Sequence, residues 1–426
     1  MHNILRQTAR LLLVLAIAVS AAGCAALGFT PTPEPVTLKF AMAEGVMPIQ
    51  QLADEFHTAH PWITIEVVEA NAYATSEITQ LVRAGGIDVF RQSREAMALV
   101  EDGLIAPLDE IQLDAFSNIR DDYYAGLWEA LTQQGVQYGI PAAMDIYVAY
   151  VLGAEAEARG VSLPAADWEM FDFISFATEM NNWDPAQMTE AALLGFGTDP
   201  EGMDPLIFVY RHGGAIVDDI EDPRRPLLDD PLTIEGTQLY ADLFTRYQLA
   251  PMPRDVRRAF PRGGIYEAQI RGRCATWLGW FSSRGGGTDY LAWPEGWKMY
   301  NLPRDQVDLA MGNVEGYYVT ASSAHPQEAL SFIRFLADRW DSAGKMLPAR
   351  LSQQQSSGYR ATLGDELTAV VDAFPQQVVF LPGTYTPELE TVGTAFYRAL
   401  SQIIEQDLDA ADPLQEAQNR VRATFQ

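Results

Sequence analysis

The stretch Tyr138-Gly139-Ile140-Pro141-Ala142-Ala143-Met144-Asp145-Ile146-Tyr147-Val148-Ala149-Tyr150 decides how this chain is read. It opens as a short aromatic-aliphatic strand, stops at Pro141 and restarts as Ile146 to Leu152. Proline has no N–H to give to a ladder, so Pro141 belongs at a strand start, an edge or a bend. Two strands in line, with a bend between them, suit a chain leaving one lobe for another. Asp145 and Tyr147 then sit just past the bend, beside a cleft. A kinked strand inside a single domain fits the same residues equally well.

The chain has 426 residues, 48% hydrophobic and 11% aromatic. That is roughly three times a modal domain, so two lobes with real cores are expected and disorder is excluded. The formal net charge is −28, and residues 1–23 hold Arg6 and Arg10 but no acid, so removing them makes it −30. Nucleic acid is excluded as a partner, because its binding needs clustered Lys and Arg. Cys24 and Cys274 are the only cysteines, which excludes a disulfide framework or a metal cage. Cys274 reads as a small buried residue. His57 and His60 are three apart, but without a third ligand they read as the cationic end of a helix and not as a metal site. No metal and no cofactor is expected.

The N-terminus reads as an address. Leu11 to Ala22 is an apolar run broken only by Ser20, too short to span a bilayer but right for a signal peptide. It ends in Ala21-Ala22-Gly23-Cys24, which resembles the lipobox of bacterial lipoproteins, with Ala21 where Leu is more usual. The resemblance implies cleavage before Cys24, lipidation of that cysteine, and a Pro-rich tether over residues 24–35. The alternative is an ordinary secretory signal cut elsewhere. Either way the protein is exported.

Beyond the tether, strand and helix patterns alternate. Val36 to Met42 alternates apolar and polar residues, and Ile63, Ile65 and Val67 mark a second strand. Between them Pro48 opens a helix carrying Ile49, Leu52, Ala53 and Phe56. Ile78, Leu81 and Val82 mark another helix, Gly85 to Phe90 reads as a short strand, and Ser93 as the N-cap of the next helix. This order predicts an α/β lobe with a mostly parallel sheet, whose ligands sit beyond the strand ends, near Glu44, Asn71, Tyr73 and Arg91 to Ser93. Further on, a helix from Trp168 to Met180 is expected to bury Phe171, Ile174 and Ala177. The segment Asp184 to Asp204 reads as loop, and so does Pro251 to Gly264. Arg271 to Trp280 reads as a strand entering a Gly-rich loop. Helices carry Leu330, Ile333 and Leu336, then Leu400, Ile403 and Ile404.

From about Thr37 onward the chain resembles the extracellular solute-binding proteins of ABC importers, in the branch that includes maltose-binding and other sugar-binding proteins. The likeness is a series of short motifs in order. They are Phe56-His-Thr-Ala-His-Pro61-Trp-Ile, Ile87-Asp-Val with Gly103-Leu-Ile-Ala-Pro-Leu-Asp109, Tyr138-Gly-Ile-Pro141 and Pro164-Ala-Ala-Asp-Trp168-Glu-Met-Phe171. Gly272-Arg-Cys-Ala-Thr-Trp277, Ala324 to Phe335 and Leu347-Pro-Ala-Arg350 follow. Two departures are Val151 after Tyr150, where the family often has Asn, and Asp167 where a Thr usually precedes the Trp; Asp caps a helix equally well.

The resemblance implies two α/β lobes with a ligand cleft between them, 36–140 plus 316–350 and 141–315 plus 351–426. Further crossings fall near Met311 to Thr320 and Leu347 to Leu351. It also implies a monomeric binding protein, not an enzyme, that closes over a small solute, most readily a carbohydrate, and delivers it to an ABC permease. No Gly-x-Ser-x-Gly, phosphate loop or HExxH motif argues otherwise. A polyamine or other amine, or a hydrolytic lipoprotein, is the alternative. The candidate ligand residues are Glu44, Tyr73, Asp145, Tyr147, Trp280, Glu315, Tyr317 and Arg350. Each has a structural alternative: Trp280 as a core plug, Asp145 as a turn cap, Glu315 as a solvated acid, Arg350 as a hinge clamp, Tyr147 as strand filler.

Overall fold

The computed structural model describes residues 33–70, 75–110, 116–184, 186, 188–286, 292–375, 377–380 and 386–425. The signal segment, Cys24, most of the tether, Asn71, Tyr73 and Gly287 lie outside the described residues. Among the described residues ten strands form one sheet. They are β1 (Val36–Ala43), β2 (Ile63–Ala70), β3 (Val89–Ser93), β4 (Gly139–Leu152), β5 (Leu194–Gly197), β6 (Cys274–Trp280), β7 (Trp297–Tyr300), β8 (Leu309–Val319), β9 (Leu347–Pro348) and β10 (Gln377–Phe380). The order is β2-β1-β3-β8-β4-β6-β5, with β7 and β9 paired to β4 and β10 to β8.

The ends of the sheet are parallel, as strand–helix alternation dictates. β1 pairs in parallel with β2 and β3, and β5 with β6. The middle, around the long strands β4 and β8, is antiparallel. Helices flank the sheet. α1 (Ile49–Ala59) buries Ile49, Leu52, Ala53 and Phe56, the four apolar positions its spacing marks. α2 (Thr75–Ala84) leads into Gly85 and Gly86, whose φ angles of +79° and +82° end the helix, so β3 starts at Val89 and not at Gly85. Ser93 closes that strand and precedes a 3-10 turn, and its hydroxyl does not cap it.

Pro141 does not divide β4. All fourteen residues from Gly139 to Leu152 form one strand. Its neighbour β8 steps from Glu315 opposite Ala143 to Gly316 opposite Pro141, a bulge that skips Ala142. The irregularity falls where proline offers no N–H, so the bulge replaces the expected bend. The first half of β4 pairs with β8 through Ile146, and the second half pairs with β6 from Tyr147 onward. One strand thus serves both halves of the molecule, which is a two-lobe α/β architecture.

Four expectations for the second half need correction. α3 (Met170–Met180) buries Phe173, Phe176, Ala177 and Met180, while Phe171 is 77% exposed. Several helical registers fit so apolar a stretch, and the packing takes another one. The helix is capped by a reciprocal Glu169–Asp172 box, not by Asp167, which is exposed beside Arg304. The segment read as loop from Asp184 contains β5. Past α4 (Asp204–Arg211) and α5 (Pro231–Asp242), the segment Pro251 to Gly264 contains α6 (Pro253–Ala259), which Pro253 opens from the first turn. The later helices fall where their spacing predicts, as α7 (Pro326–Ala337) and α8 (Pro387–Gln406). Among the described residues no helix is long and apolar enough to cross a membrane.

Candidate functional site

Strand alternation and register decide which side chains share a face. Asp145 lies opposite Asn313, and Tyr147 opposite Trp280. Glu315 and Tyr317 follow Asn313 at alternate positions along β8. One face of the sheet therefore carries a row, Tyr317, Glu315, Asn313, Asp145, Tyr147 and Trp280, that passes from one half to the other at the Asp145–Tyr147 step.

Tyr147 and Trp280 have ring centroids 4.3 Å apart and planes tilted by 54°. Both are half-buried, so ring surface stays available to a flat apolar partner. Tyr150, on the opposite face of β4, stacks on Trp277 at 5.6 Å and meets Trp293 edge-on at 4.3 Å; all three are buried. The aromatics divide between a core cluster and an accessible pair, and Trp280 belongs to the pair.

Asp145 is 5% exposed. β6 runs antiparallel to β4, so two residues past Trp280 the chain draws level with Asp145. There the Ser282 N–H donates to one carboxylate oxygen at 3.0 Å, and the Ser282 hydroxyl donates to the other. Burial pushes the Asp145 carboxyl up to about 7; the Ser282 donors oppose the rise, the Glu315 charge adds to it and Arg284 counters it. Such a group switches between acceptor and donor near neutral pH. Arg284 itself is anchored, with its guanidinium 4.4 Å from the Phe281 ring centroid and bonded to the carbonyls of Phe281 and Lys345.

Glu315 is held by Arg91, whose Nε lies 2.6 Å from its carboxylate. Arg91 is 2% exposed and also donates to the carbonyls of Ser342 and Ala343. The Glu315 side chain keeps 17% exposure, enough to offer one edge outward.

Of the remaining candidates, Tyr317 shares the face of the row but is covered, and Glu44 and Arg350 lie off it. Tyr317 is fully buried against Phe40 and under Arg91, so it belongs to the core. Glu44 is exposed in the loop after β1, and its carboxylate has no ion-pair partner among the described residues. Arg350 is a clamp. Its Nε donates to Asp122 at 2.8 Å and its terminal nitrogen to Asp338. Cys274 is fully buried, which pushes its thiol up and out of reactivity. His57 bonds the Ile63 carbonyl at 2.7 Å and His60 stacks on Phe56. Among the described residues no group of three His, Cys, Asp or Glu side chains is placed to hold a metal ion.

Two features of the site escaped sequence reasoning. Tyr397 of α8 donates its hydroxyl to the Gly202 carbonyl at 2.8 Å, in the loop after β5. With burial first and Asp204 and Asp145 next, Tyr397 helps raise the phenol of Tyr147. Its place depends on the contact with Gly202, 195 positions away along the chain, and its own helix spacing carries no sign of it. The second feature is an ion pair between Arg94, just past β3, and Glu221, in the loop between α4 and α5.

No protein-family model matches the chain, and no curated protein does. Solved structures do match over nearly the whole length. An ABC substrate-binding protein from Listeria monocytogenes, Lmo0181, in complex with cycloalternan, superposes with a TM-score of 0.70 at 17% identity, covering 92% of this chain and 99% of that one. A cyclo/maltodextrin-binding protein complexed with maltotetraose gives 0.71 at 19%, covering 93% and 99%. UgpB from Mycobacterium tuberculosis, in complex with glycerophosphocholine, gives 0.69 at 15%, covering 92% and 98%. The chain has the two-lobe fold of the ABC substrate-binding proteins, several of the similar structures being sugar-binding ones.

Proposed function

We propose that this chain is the solute-binding component of an ABC importer and that its solute is a carbohydrate, bound over the row from Glu315 to Trp280. The observation that carries this reading is the Tyr147–Trp280 pair with Asp145 beside it. Half-buried rings pack on the apolar face of a sugar ring, while the carboxyls of Asp145 and Glu315 take up its hydroxyls. A hydroxyl left unpaired in a closed cleft costs roughly 1–3 kcal/mol, so fixed acceptors select for it. Similar structures carrying cycloalternan and maltotetraose support the sugar class, and the one carrying glycerophosphocholine marks the range of solutes the fold takes.

In this reading the lobes are 36–140 plus 316–350 and 141–315 plus 351–426, and they close over the solute and present it to a membrane permease. The protein turns nothing over. It is a monomer, exported and tethered by a lipid on Cys24. Cys24→Ser then yields a soluble or unprocessed product, and normal lipid labelling of that variant contradicts the anchor. A thermal-shift panel tests the ligand class, because a solute at 100 times its dissociation constant stabilises by roughly 2.7 kcal/mol. A shift with an oligosaccharide supports the proposal. A shift with spermidine or putrescine alone keeps the fold and overturns the sugar.

A further inference from the structure

The two central strands are closed to the outside except at one place. Of all the residues of β4 and β8, only Tyr147, Asn313 and Glu315 are not buried, and the three share the face that carries the row. No sequence motif marks Asn313. It stands opposite Asp145 in the register and two residues before Glu315. Cross-strand neighbours lie about 5 Å apart and alternate residues of one strand about 7 Å, so a single sugar ring spans all three side chains.

Each of the three is fixed by a neighbour and keeps capacity on its free side. Arg91 holds one Glu315 oxygen at 2.6 Å and leaves the other. The Ser282 N–H and hydroxyl each take one Asp145 oxygen, and each oxygen has a further lone pair. The Val314 N–H donates to the Asn313 side-chain oxygen at 2.8 Å, which settles which end of the amide is the oxygen. The Asn313 NH2 group makes no hydrogen bond among the described residues and is not shut away from solvent.

The order along the row is therefore acceptor, donor, acceptor. A hydroxyl both donates and accepts. Two adjacent hydroxyls fill the row: one donates to Glu315, the other to Asp145, and each accepts one N–H from Asn313. An ammonium group only donates and leaves the Asn313 N–H groups unpaired; an anion only accepts and leaves both acids unpaired.

We propose that Asn313 is a solute-binding residue, and that Glu315, Asn313 and Asp145 together select a pair of adjacent free hydroxyls on one saccharide ring. This rests on the sugar-binding reading above and names the feature of the sugar that is read. Because the three groups are held in place beforehand, little freedom is lost when the pair arrives.

Calorimetric titration of the full-length protein with maltotriose, mannotriose and galactotriose, then with the monodeoxy analogues of the tightest binder, tests it. In the parent, two analogues lacking hydroxyls on neighbouring carbons of one ring should bind about tenfold or more weakly. Asn313→Ala should bind the unmodified sugar about fivefold or more weakly. In that variant the same two analogues should lose at least about threefold less than they do in the parent, because their shared partner is gone. A purely structural role for Asn313 would not single out two hydroxyls. Far-UV circular dichroism of the variant should match the parent; if the variant unfolds, the deoxy series in the parent decides alone. Affinity of folded Asn313→Ala within about twofold of the parent, or sensitive hydroxyls that are not neighbours on one ring, overturns the paired-hydroxyl site and leaves the sugar reading in place. Binding of none of the three sugars by the parent overturns both.

Discussion

Asp145, on the strand shared by both halves of the sheet, accepts the backbone N–H of Ser282 at 3.0 Å. That bond ties β4 to the turn after Trp280, and it surrounds a carboxyl whose burial raises it to about 7. The folded state therefore holds this proton more tightly than the unfolded chain. Its stabilising effect is fully present below the unfolded value and is lost as pH rises through the folded one, a window from about 4 to about 7. Asp145→Asn removes the titration. Its stability should gain on that of the parent between about pH 4 and about pH 7, at a rate of order 1 kcal/mol per pH unit. Asp204, also raised to about 7, titrates in both proteins and cancels in the difference. A constant difference across that range contradicts the assignment.

The two tryptophans of β6 should behave oppositely. Trp277 is 1% exposed and packed by Tyr150 and Trp293, so Trp277→Ala should cost about 3–5 kcal/mol in denaturant unfolding. Trp280 is half-buried, and Trp280→Ala should cost under about 1.5 kcal/mol while weakening solute binding about tenfold or more. If Trp280→Ala unfolds the protein as Trp277→Ala does, Trp280 is a core plug.

Much of this was legible in the sequence, for identifiable reasons. α1 could be placed because Ile49, Leu52, Ala53 and Phe56 admit only one buried face. Asp145 and Tyr147 follow the Tyr138 to Pro141 motif on the strand shared by both halves, Trp280 follows the Gly272 to Trp277 motif on its neighbour, and register brings all three onto one face. The misses have physical causes too. Pro141 signals a break only when no bulge absorbs its missing donor. Phe171 is apolar yet exposed, so composition misled the register of α3. Tyr317 looks like a cleft aromatic until Phe40 and Arg91 are seen to cover it. The Arg94–Glu221 pair and Tyr397 depend on contacts between segments far apart in the chain, which no local pattern encodes.

On the proposed lobe division Arg94 and Glu221 lie in different lobes, and their ion pair is expected to act as a latch between them. The Arg94 side chain is 9% exposed and that of Glu221 45%. A pair with one half-exposed partner contributes about 1 kcal/mol. Glu221→Gln should therefore speed solute release about fivefold in stopped-flow tryptophan fluorescence and enlarge the solution radius of gyration. Unchanged release and unchanged scattering contradict the latch.

Arg350 bridges Asp122 and Asp338, whose side chains are 26% and 45% exposed. Arg350→Met should lower stability by about 1–2 kcal/mol, measured in urea, and leave solute affinity within about threefold. A large loss of affinity at parental stability would return Arg350 to the ligand site.

The most direct test of the central claim is a calorimetric titration of the purified full-length protein with neutral and acidic oligosaccharides, with product analysis of each sample afterwards. The account predicts one binding site per chain for at least one saccharide, loss of that binding in Trp280→Ala, and recovery of the saccharide intact. Absence of binding to every saccharide tested, or recovery of a cleaved product, contradicts it.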